Sequence, residues 1–228
     1  MTEMNEKQAE LLDAALNHVV FDGWSDATIK AACADLGWDI AEAKRLYPRG
    51  AVDLAAAYHK AGDAAMIEAL TASDLASLRY SERVALGVKM RLEITTDKDI
   101  VRNGMTLFAS PPHMAEGSKL LWGTADAIWT ALGDTSDDLN WYSKRTVLSA
   151  VYSSVLLFWL GDESENHGDS WAFLDRRIEN VMQFEKAKAA VKGNSFAKAI
   201  LDGPLRFLDR IKAPSDDGPN DLPGQWRL

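Results

Sequence analysis

The chain predicts an all-α fold, a bundle of helices. Three observations carry the prediction. Apolar residues recur at spacings of three and four along almost the whole length. The period-two alternation of strands, bounded by hairpin turn pairs, is missing. Hydrophobic residues make up 47% of 228 positions and charged residues 26%, a globular composition with enough chain to bury a substantial core.

The elements follow in order. A first helix covers about 5–21, with Leu12, Ala15, Leu16, Val19 and Val20 on its buried side. A second runs 26–36, capped by Ser25 or Asp26 and stopped by Gly37. A short third spans 38–46 and ends at Tyr47-Pro48-Arg49-Gly50. Longer helices are expected over 51–70 and 74–95, then a short one over 99–109, punctuated by Pro111-Pro112. Helices over 113–132, 138–160 and 168–191 complete the bundle. The 138–160 helix is apolar nearly all round after its first two turns, through Leu148, Val151, Tyr152, Val155 and Trp159. Such a helix should be central. Gly193 breaks the chain before a last segment, 194–213. From Pro214 onward Pro, Asp and Gly dominate, and a disordered tail is expected. The organisation read from this is a helix-turn-helix-like region over 1–70, a ligand-binding and dimerisation region over 71–192, an amphipathic helix over 193–213 and a tail over 214–228.

Composition excludes several classes. The single cysteine, Cys33, permits no internal disulfide and no cysteine-based zinc cage, and its apolar neighbours make it a core residue. Met1 to Glu10 shows neither a signal-peptide core nor an arginine-rich transit pattern, so a cytoplasmic bacterial protein is expected. No uncharged stretch reaches the ~18 residues of a membrane span. The histidines, His18, His59, His113 and His167, are scattered, and no nucleophile elbow, phosphate loop, zinc-protease motif or di-iron Glu-x-x-His pair is present. No catalysis, metal or cofactor is expected.

The first three helices have the order of a DNA-reading helix-turn-helix, with Ala31 to Gly37 filling the second helix and turn. The reading helix would be Trp38 to Leu46. Across 24–62, however, Asp26, Asp35, Asp39, Glu42 and Asp53 balance Lys30, Lys44, Arg45, Arg49 and Lys60. A unit without net positive charge lacks the electrostatic term behind DNA affinity. The motif is degenerate, and no nucleic-acid partner is expected.

Two strings are unusually specific: Asp138-Leu139-Asn140-Trp141-Tyr142-Ser143-Lys144-Arg145 and Trp171-Ala172-Phe173-Leu174-Asp175-Arg176-Arg177-Ile178. With Ala125-Asp126-Ala127-Ile128-Trp129, Gly133-Asp134-Thr135-Ser136 and Leu46-Tyr47-Pro48, they resemble the Coq-nine family. Those are lipid-binding accessory proteins of ubiquinone biosynthesis, and the likeness extends from about Trp24 to Ala190. The resemblance implies a TetR-like fold, a homodimer and a bound phospholipid or polyprenyl quinone. It also implies a quinone-ring hydroxylase as partner, either the di-iron enzyme or a bacterial equivalent with other chemistry, and work at the inner-membrane surface.

Site residues follow from both readings. Trp141 and Tyr142, large aromatics at a helix start, suit a protein interface. The resemblance adds Asp126, Ile128 and Asp138 as partner contacts, with Trp129 either there or in the core; Asp138 also reads as a plain helix cap. Arg145 enters an apolar helix and must be paired or hydrogen-bonded. A lipid phosphate, which the resemblance implies, or an acid such as Asp175 or Glu179 would serve. The pocket walls are expected from Leu107, Phe108, Leu121, Trp122, Val147, Leu148, Val151, Tyr152, Val155 and Phe158. In the last segment Phe196, Ile200, Phe207, Leu208 and Ile211 approximate one face. Lys198, Arg206, Arg210 and Lys212 outnumber Asp202 and Asp209, the pattern of a helix lying on a membrane or folded back on protein. Pro204 should kink it.

The reading that gathers these features is a non-enzymatic lipid-binding protein that presents a polyprenyl quinone intermediate to a hydroxylase at the membrane. The alternatives are a TetR-type ligand-responsive transcription regulator and a plain lipid carrier.

Overall fold

The computed structural model describes residues 5–95, 97–192 and 213, with the side chains of 185–192 excepted. The described chain is helical: α1 (Glu6–Asp22), α2 (Asp26–Leu36), α3 (Ile40–Leu46), α4 (Ala51–Ala72), α5 (Tyr80–Glu93), α6 (Lys98–Ala109), α7 (Met114–Ala131), α8 (Leu139–Leu160) and α9 (Gly168–Lys192). A single 3-10 turn, Glu165–His167, precedes α9. The expected membrane-surface residues Phe196, Ile200, Phe207, Leu208 and Ile211 lie outside the described residues, as does the tail.

Local chemistry sets the boundaries. Asn5 accepts from the Gln8 N–H and Gln8 reaches back to the Asn5 N–H, a reciprocal cap that starts α1. Ser25, Asp39, Asp97 and Asp138 cap α2, α3, α6 and α8 through their side-chain oxygens. Gly37, at φ 67°, ends α2 in the left-handed region open to glycine and makes the tight turn into α3. One expected helix is shorter than the periodicity suggested. Residues 74–79 are not helical, because the Asp74 carboxylate takes the Ala76 N–H at 3.0 Å and forms a turn. Glu82 then receives the Arg79 N–H at 2.7 Å, and α5 starts only at Tyr80.

Two apolar clusters form, and α4 serves both. The first gathers Leu11, Leu12, Ala15 and Val19 of α1, Ile29 and Cys33 of α2, Ala43 and Tyr47 around α3, and Leu54 of α4. Trp24 belongs to it and joins it to α6, donating its Nε1–H to the Ile100 carbonyl at 3.2 Å. The second gathers Met66 and Leu70 of α4 with Val84, Val88 and Leu92 of α5. Ala125 and Ile128 of α7, Leu148, Val151, Tyr152, Val155 and Trp159 of α8 and Leu174 of α9 complete it.

The long helix α8 packs on α7 and α9, but it is not enclosed on all sides. Leu157 is 60% exposed, and Phe158, 39% exposed, stacks on Phe173 at 4.7 Å. Ile128 is fully buried against α5, whose Gly87 leaves room for it; a Cβ at Gly87 would stand 3.0 Å from the Ile128 Cγ2. Replacing Ile128 by alanine should therefore cost about 2–5 kcal/mol of unfolding free energy, as for other buried large-to-small changes. Urea denaturation followed by circular dichroism measures this, and a change inside experimental error would refute the placement of Ile128 in the core.

Candidate functional site

Between α4, α5, α6, α7 and α8 lies a cavity of about 340 Å³, a size typical of small-molecule pockets. Its walls are mostly apolar: Ala55, Leu92, Val101, Met105, Phe108, Leu120, Leu121 and Leu156. Its mouth is marked by Ala109, Met114 and Leu157, of which Met114 is 54% and Leu157 60% exposed. The opposite end carries polarity on Tyr58, His59, Arg91 and Tyr152, and of these Arg91 and Tyr152 are almost wholly buried. A wider groove of about 770 Å³ beside α1 shares Tyr58, Arg91 and Thr95 with the cavity, so these side chains separate the two spaces.

The polar end is a closed ring of hydrogen bonds across three helices. Arg91 of α5 donates Nε–H to the Asp63 Oδ1 at 2.7 Å and Nη2–H to the His59 carbonyl at 3.0 Å. Asp63 accepts from the Thr124 hydroxyl of α7 at 2.9 Å, and the His59 Nε2 stands 2.8 Å from the same hydroxyl. With the Thr124 proton on Asp63, the His59 Nε2 must be the donor to Thr124. Gly62 makes the approach possible. A Cβ there would sit 2.8 Å from the guanidinium carbon, so only glycine lets Arg91 lie against α4. Burial dominates the His59 imidazole and pulls its pKa down to about 4, against the opposing pull of Asp63. Burial also pushes the Tyr58 and Tyr152 phenols up, so both are neutral hydroxyls.

The expected pocket residues divide. Phe108, Leu121 and Tyr152 line the cavity. Leu148, Val151 and Val155 do not; they pack into the core cluster with α4, α5, α7 and α9. Leu107 packs into the N-terminal cluster, and Phe158 lies on Phe173. Val147 is at the surface and Trp122 belongs to an aromatic group.

Arg145 also departs from expectation. It is 2% exposed, does not line the cavity, and its acids are neither Asp175 nor Glu179. Nε lies 2.5 Å from Asp126 and Nη1 lies 3.1 Å from Asp134, and the guanidinium covers the Trp141 ring at 4.1 Å. Lys144 reaches Asp134 at 2.6 Å. Burial pushes the Asp134 carboxyl up, but bonds from Lys144, Ser136 and Arg145 outweigh it and hold it below the ordinary carboxylate range. With its charge answered by Asp126 and Asp134, Arg145 braces α7, the following loop and α8 against one another.

Around that brace sit the expected partner residues. Trp122, Trp141 and Tyr142 form one half-buried aromatic group, with centroids 5.8 Å apart for Trp122–Trp141 and 4.8 Å for Trp141–Tyr142. Leu139 beside them is 39% exposed. Asp126 keeps 43% of its side chain exposed while bonding Arg145. Asp138 caps α8 through the Asn140 N–H at 2.8 Å. Trp129 donates Nε1–H to the Lys144 carbonyl at 3.1 Å and packs on Tyr80. Ile128, being fully buried, offers nothing to a partner in this conformation.

Sequence reasoning missed the Asp63–Arg91–His59–Thr124 ring. The usable signals were a histidine and an aspartate four apart, hence on one helix face, with a glycine beside the aspartate in a helix interior. The histidine gives the site a pH signature. An ordinary histidine titrates near 6.5, whereas His59 in the fold resists protonation until about 4. Between these values the unfolded chain takes up a proton that the folded chain refuses, so this stability is present above the unfolded value and drains as pH falls. The urea midpoint of the native protein should therefore drop on acidification through that window more steeply than that of His59→Gln. Parallel pH curves for the two proteins would count against a neutral buried imidazole.

Comparison with known proteins gives this geometry its context. A family model described as COQ9 matches residues 114–185, the stretch that holds the aromatic group and the Arg145 brace. The probable ubiquinone biosynthesis protein coq9 of Dictyostelium discoideum, named mitochondrial, is 30% identical over 216 residues, covering 91% of this chain and 68% of that protein. The mitochondrial COQ9 proteins of Drosophila melanogaster and Homo sapiens are 27% and 26% identical, over 82% and 90% of this chain. The chain spans 58% and 66% of their respective lengths. Among solved structures, a TetR transcriptional regulator from Nitrosomonas europaea superposes with a TM-score of 0.63 at 20% identity, covering 77% of this chain and 97% of that one. The likeness to the regulator concerns the fold, which is TetR-like and all-α. Sequence identity over nearly the whole chain reaches further: the chain belongs to the COQ9 family of ubiquinone biosynthesis proteins.

Proposed function

We propose that this chain is a non-enzymatic accessory protein that shelters a polyprenyl quinone intermediate and presents it to a quinone-ring hydroxylase at a membrane surface. The observation that carries the reading is the apolar cavity with exposed Met114 and Leu157 at its mouth. A long isoprenoid tail keeps a quinone in the bilayer, since each buried methylene contributes about 0.8 kcal/mol. An apolar cavity lowers the cost of drawing part of such a molecule out of lipid. Among the described residues no helix is long and apolar enough to cross a membrane, which suits a protein that meets the bilayer from its surface.

The aromatic group supplies the docking face for the hydroxylase. Trp122, Trp141 and Tyr142 are held in place by the Arg145 brace, and such pre-ordered aromatics with an apolar neighbour, Leu139, are typical interface anchors. The face is one residue from the cavity along α7, with Leu121 in the wall and Trp122 in the aromatic group. A homodimer is supported by the uncovered apolar side chains Phe158, Met182 and Phe184 on α8 and α9. The regulator alternative is disfavoured by α3, whose Glu42 is engaged by Lys7 and whose Asp39 caps the helix. Around this helix Asp39 and Glu42 offset the exposed Lys44 and Arg45, so no net positive charge faces DNA phosphates.

Protein purified from cells that make ubiquinone should release a polyprenyl quinone species on organic extraction, read by mass spectrometry. Extraction that yields no hydrophobic small molecule would overturn the reading. Trp141→Lys should abolish co-purification of the hydroxylase while leaving the extracted lipid unchanged; retention of the enzyme by the variant would remove the docking face from the account.

A further inference from the structure

The wider groove beside α1 has no part in sheltering a tail or in docking a hydroxylase. Along α1, Glu6, Glu10 and Asp13 follow one another at spacings of four and three, so they share one helix face, and all three are exposed. Ala9, Leu12 and Leu16 form an apolar row next to them, and Ala61 of α4 and Ile94 at the end of α5 complete the apolar lining. Among the described residues none of the three carboxylates has an ion-pair partner. The basic side chains of α1 are engaged elsewhere, Lys7 by Glu42 and His18 by Asp35. Arg91, the basic residue in the groove lining, is buried and bound to Asp63 at 2.7 Å. The groove is therefore apolar along its floor and negative, without compensation, along one rim. From Glu6 to Leu16 that rim rises roughly 15 Å, about three helical turns.

We propose that this groove is a docking site for a basic amphipathic helix of a partner protein. Such a helix carries apolar residues at every third or fourth place, with cations along the flank of that stripe. Its stripe covers Ala9, Leu12, Leu16 and Ile94, and its lysines or arginines, one turn apart, meet Glu6, Glu10 and Asp13 at the same spacing. Charge complementarity decides the occupant. An uncharged lipid tail would leave the carboxylates unanswered, and an anionic lipid surface would be repelled by them. The groove lies behind Tyr58, Arg91 and Thr95, at the end of the cavity away from Met114 and Leu157. A docked helix leaves the mouth and the Trp122–Trp141–Tyr142 face free, so this site can be filled while a hydroxylase is bound. It does not depend on what the cavity holds.

Two fluorescently labelled peptides test this on the full-length protein: a leucine–lysine peptide with helical periodicity and its leucine–glutamate counterpart. Anisotropy titrations give the affinities. The leucine–lysine peptide should bind and the leucine–glutamate peptide should not. Reversing the rim with Glu6→Lys, Glu10→Lys and Asp13→Lys together should weaken binding by about tenfold or more, the scale of three exposed ion pairs. Reversing Glu163, Glu165 and Asp169 to lysine changes the net charge equally at three exposed positions outside the groove, and it should leave the affinity unchanged. Ala9→Trp fills the apolar row without changing any charge and should also weaken binding. No binding of the leucine–lysine peptide to the native protein overturns the site. Equal weakening by the two charge reversals also overturns it, because the peptide would then answer only to an acidic protein. So does native affinity in a folded Ala9→Trp. Should the rim variant not fold, the comparison of the native protein with Ala9→Trp decides.

Discussion

The buried Asp63–Arg91 ion pair is the constraint around which the cavity-bearing half of the fold is arranged. Two charges removed from water cost several kcal/mol each unless geometry and additional hydrogen bonds answer both. That demand fixes α4, α5 and α7 in one relative placement. Arg91 has to reach across to α4, Gly62 has to be there for its guanidinium to lie flat, and Thr124 has to donate its hydroxyl to the same Asp63 Oδ1. Replaced by three apolar side chains the same helices could slide, since helix packing tolerates a range of angles. Fixed this way, they stop short of closing on α6 and α8, and the space left over is the cavity.

A second polar network performs the corresponding task on the outer side of α7. Arg145, Asp126, Asp134 and Lys144 tie the loop between α7 and α8 to both helices, and the tied loop positions Trp141 against Trp122. The two networks meet along α7, where Thr124 belongs to one and Asp126 to the other. Shelter and aromatic face are therefore registered against the same helix. A shift of α7 that widened the cavity would also disturb the arrangement of Trp122.

The helices were legible in the sequence because their ends are chemically marked. Ser25 and Gly37 bracket α2, Asp138 opens α8, and Pro111-Pro112 separates α6 from α7. The start of α5 was not, because Asp74 diverts the backbone into a turn that periodicity cannot detect. The aromatic group was legible because Trp141 and Tyr142 fall together at a helix start. Arg145 was correctly seen as needing a partner, but the candidates chosen lay on α9. The true acids, Asp126 and Asp134, come from the preceding helix and its loop, and local spacing cannot rank acids that tertiary packing brings together. For the same reason part of the expected cavity wall, Leu148, Val151 and Val155, went to the core. An apolar helix offers Leu148, Val151 and Val155 as readily as Tyr152 and Leu156, and only the placement of α5 and α6 decides which face meets a void.

The contact between Trp24 and the cavity connects the two halves of the fold. Trp24 belongs to the N-terminal apolar cluster, donates to the Ile100 carbonyl of α6, and lines the cavity beside Tyr58. Gly104 of α6 approaches its indole closely enough that a Cβ would stand 3.5 Å from the Nε1. A ligand that displaced α6 would therefore press on the N-terminal unit through this indole. In α3 the acids Asp39 and Glu42 offset the exposed Lys44 and Arg45, so such a push meets a helix without net positive charge. It would act instead on the packing between α1 and α6, where the Asn103 amide holds the Val19 carbonyl at 2.8 Å. Of the residues that precede α4, Trp24 is the one that lines the cavity, so it is through this indole that the N-terminal helices bear on it.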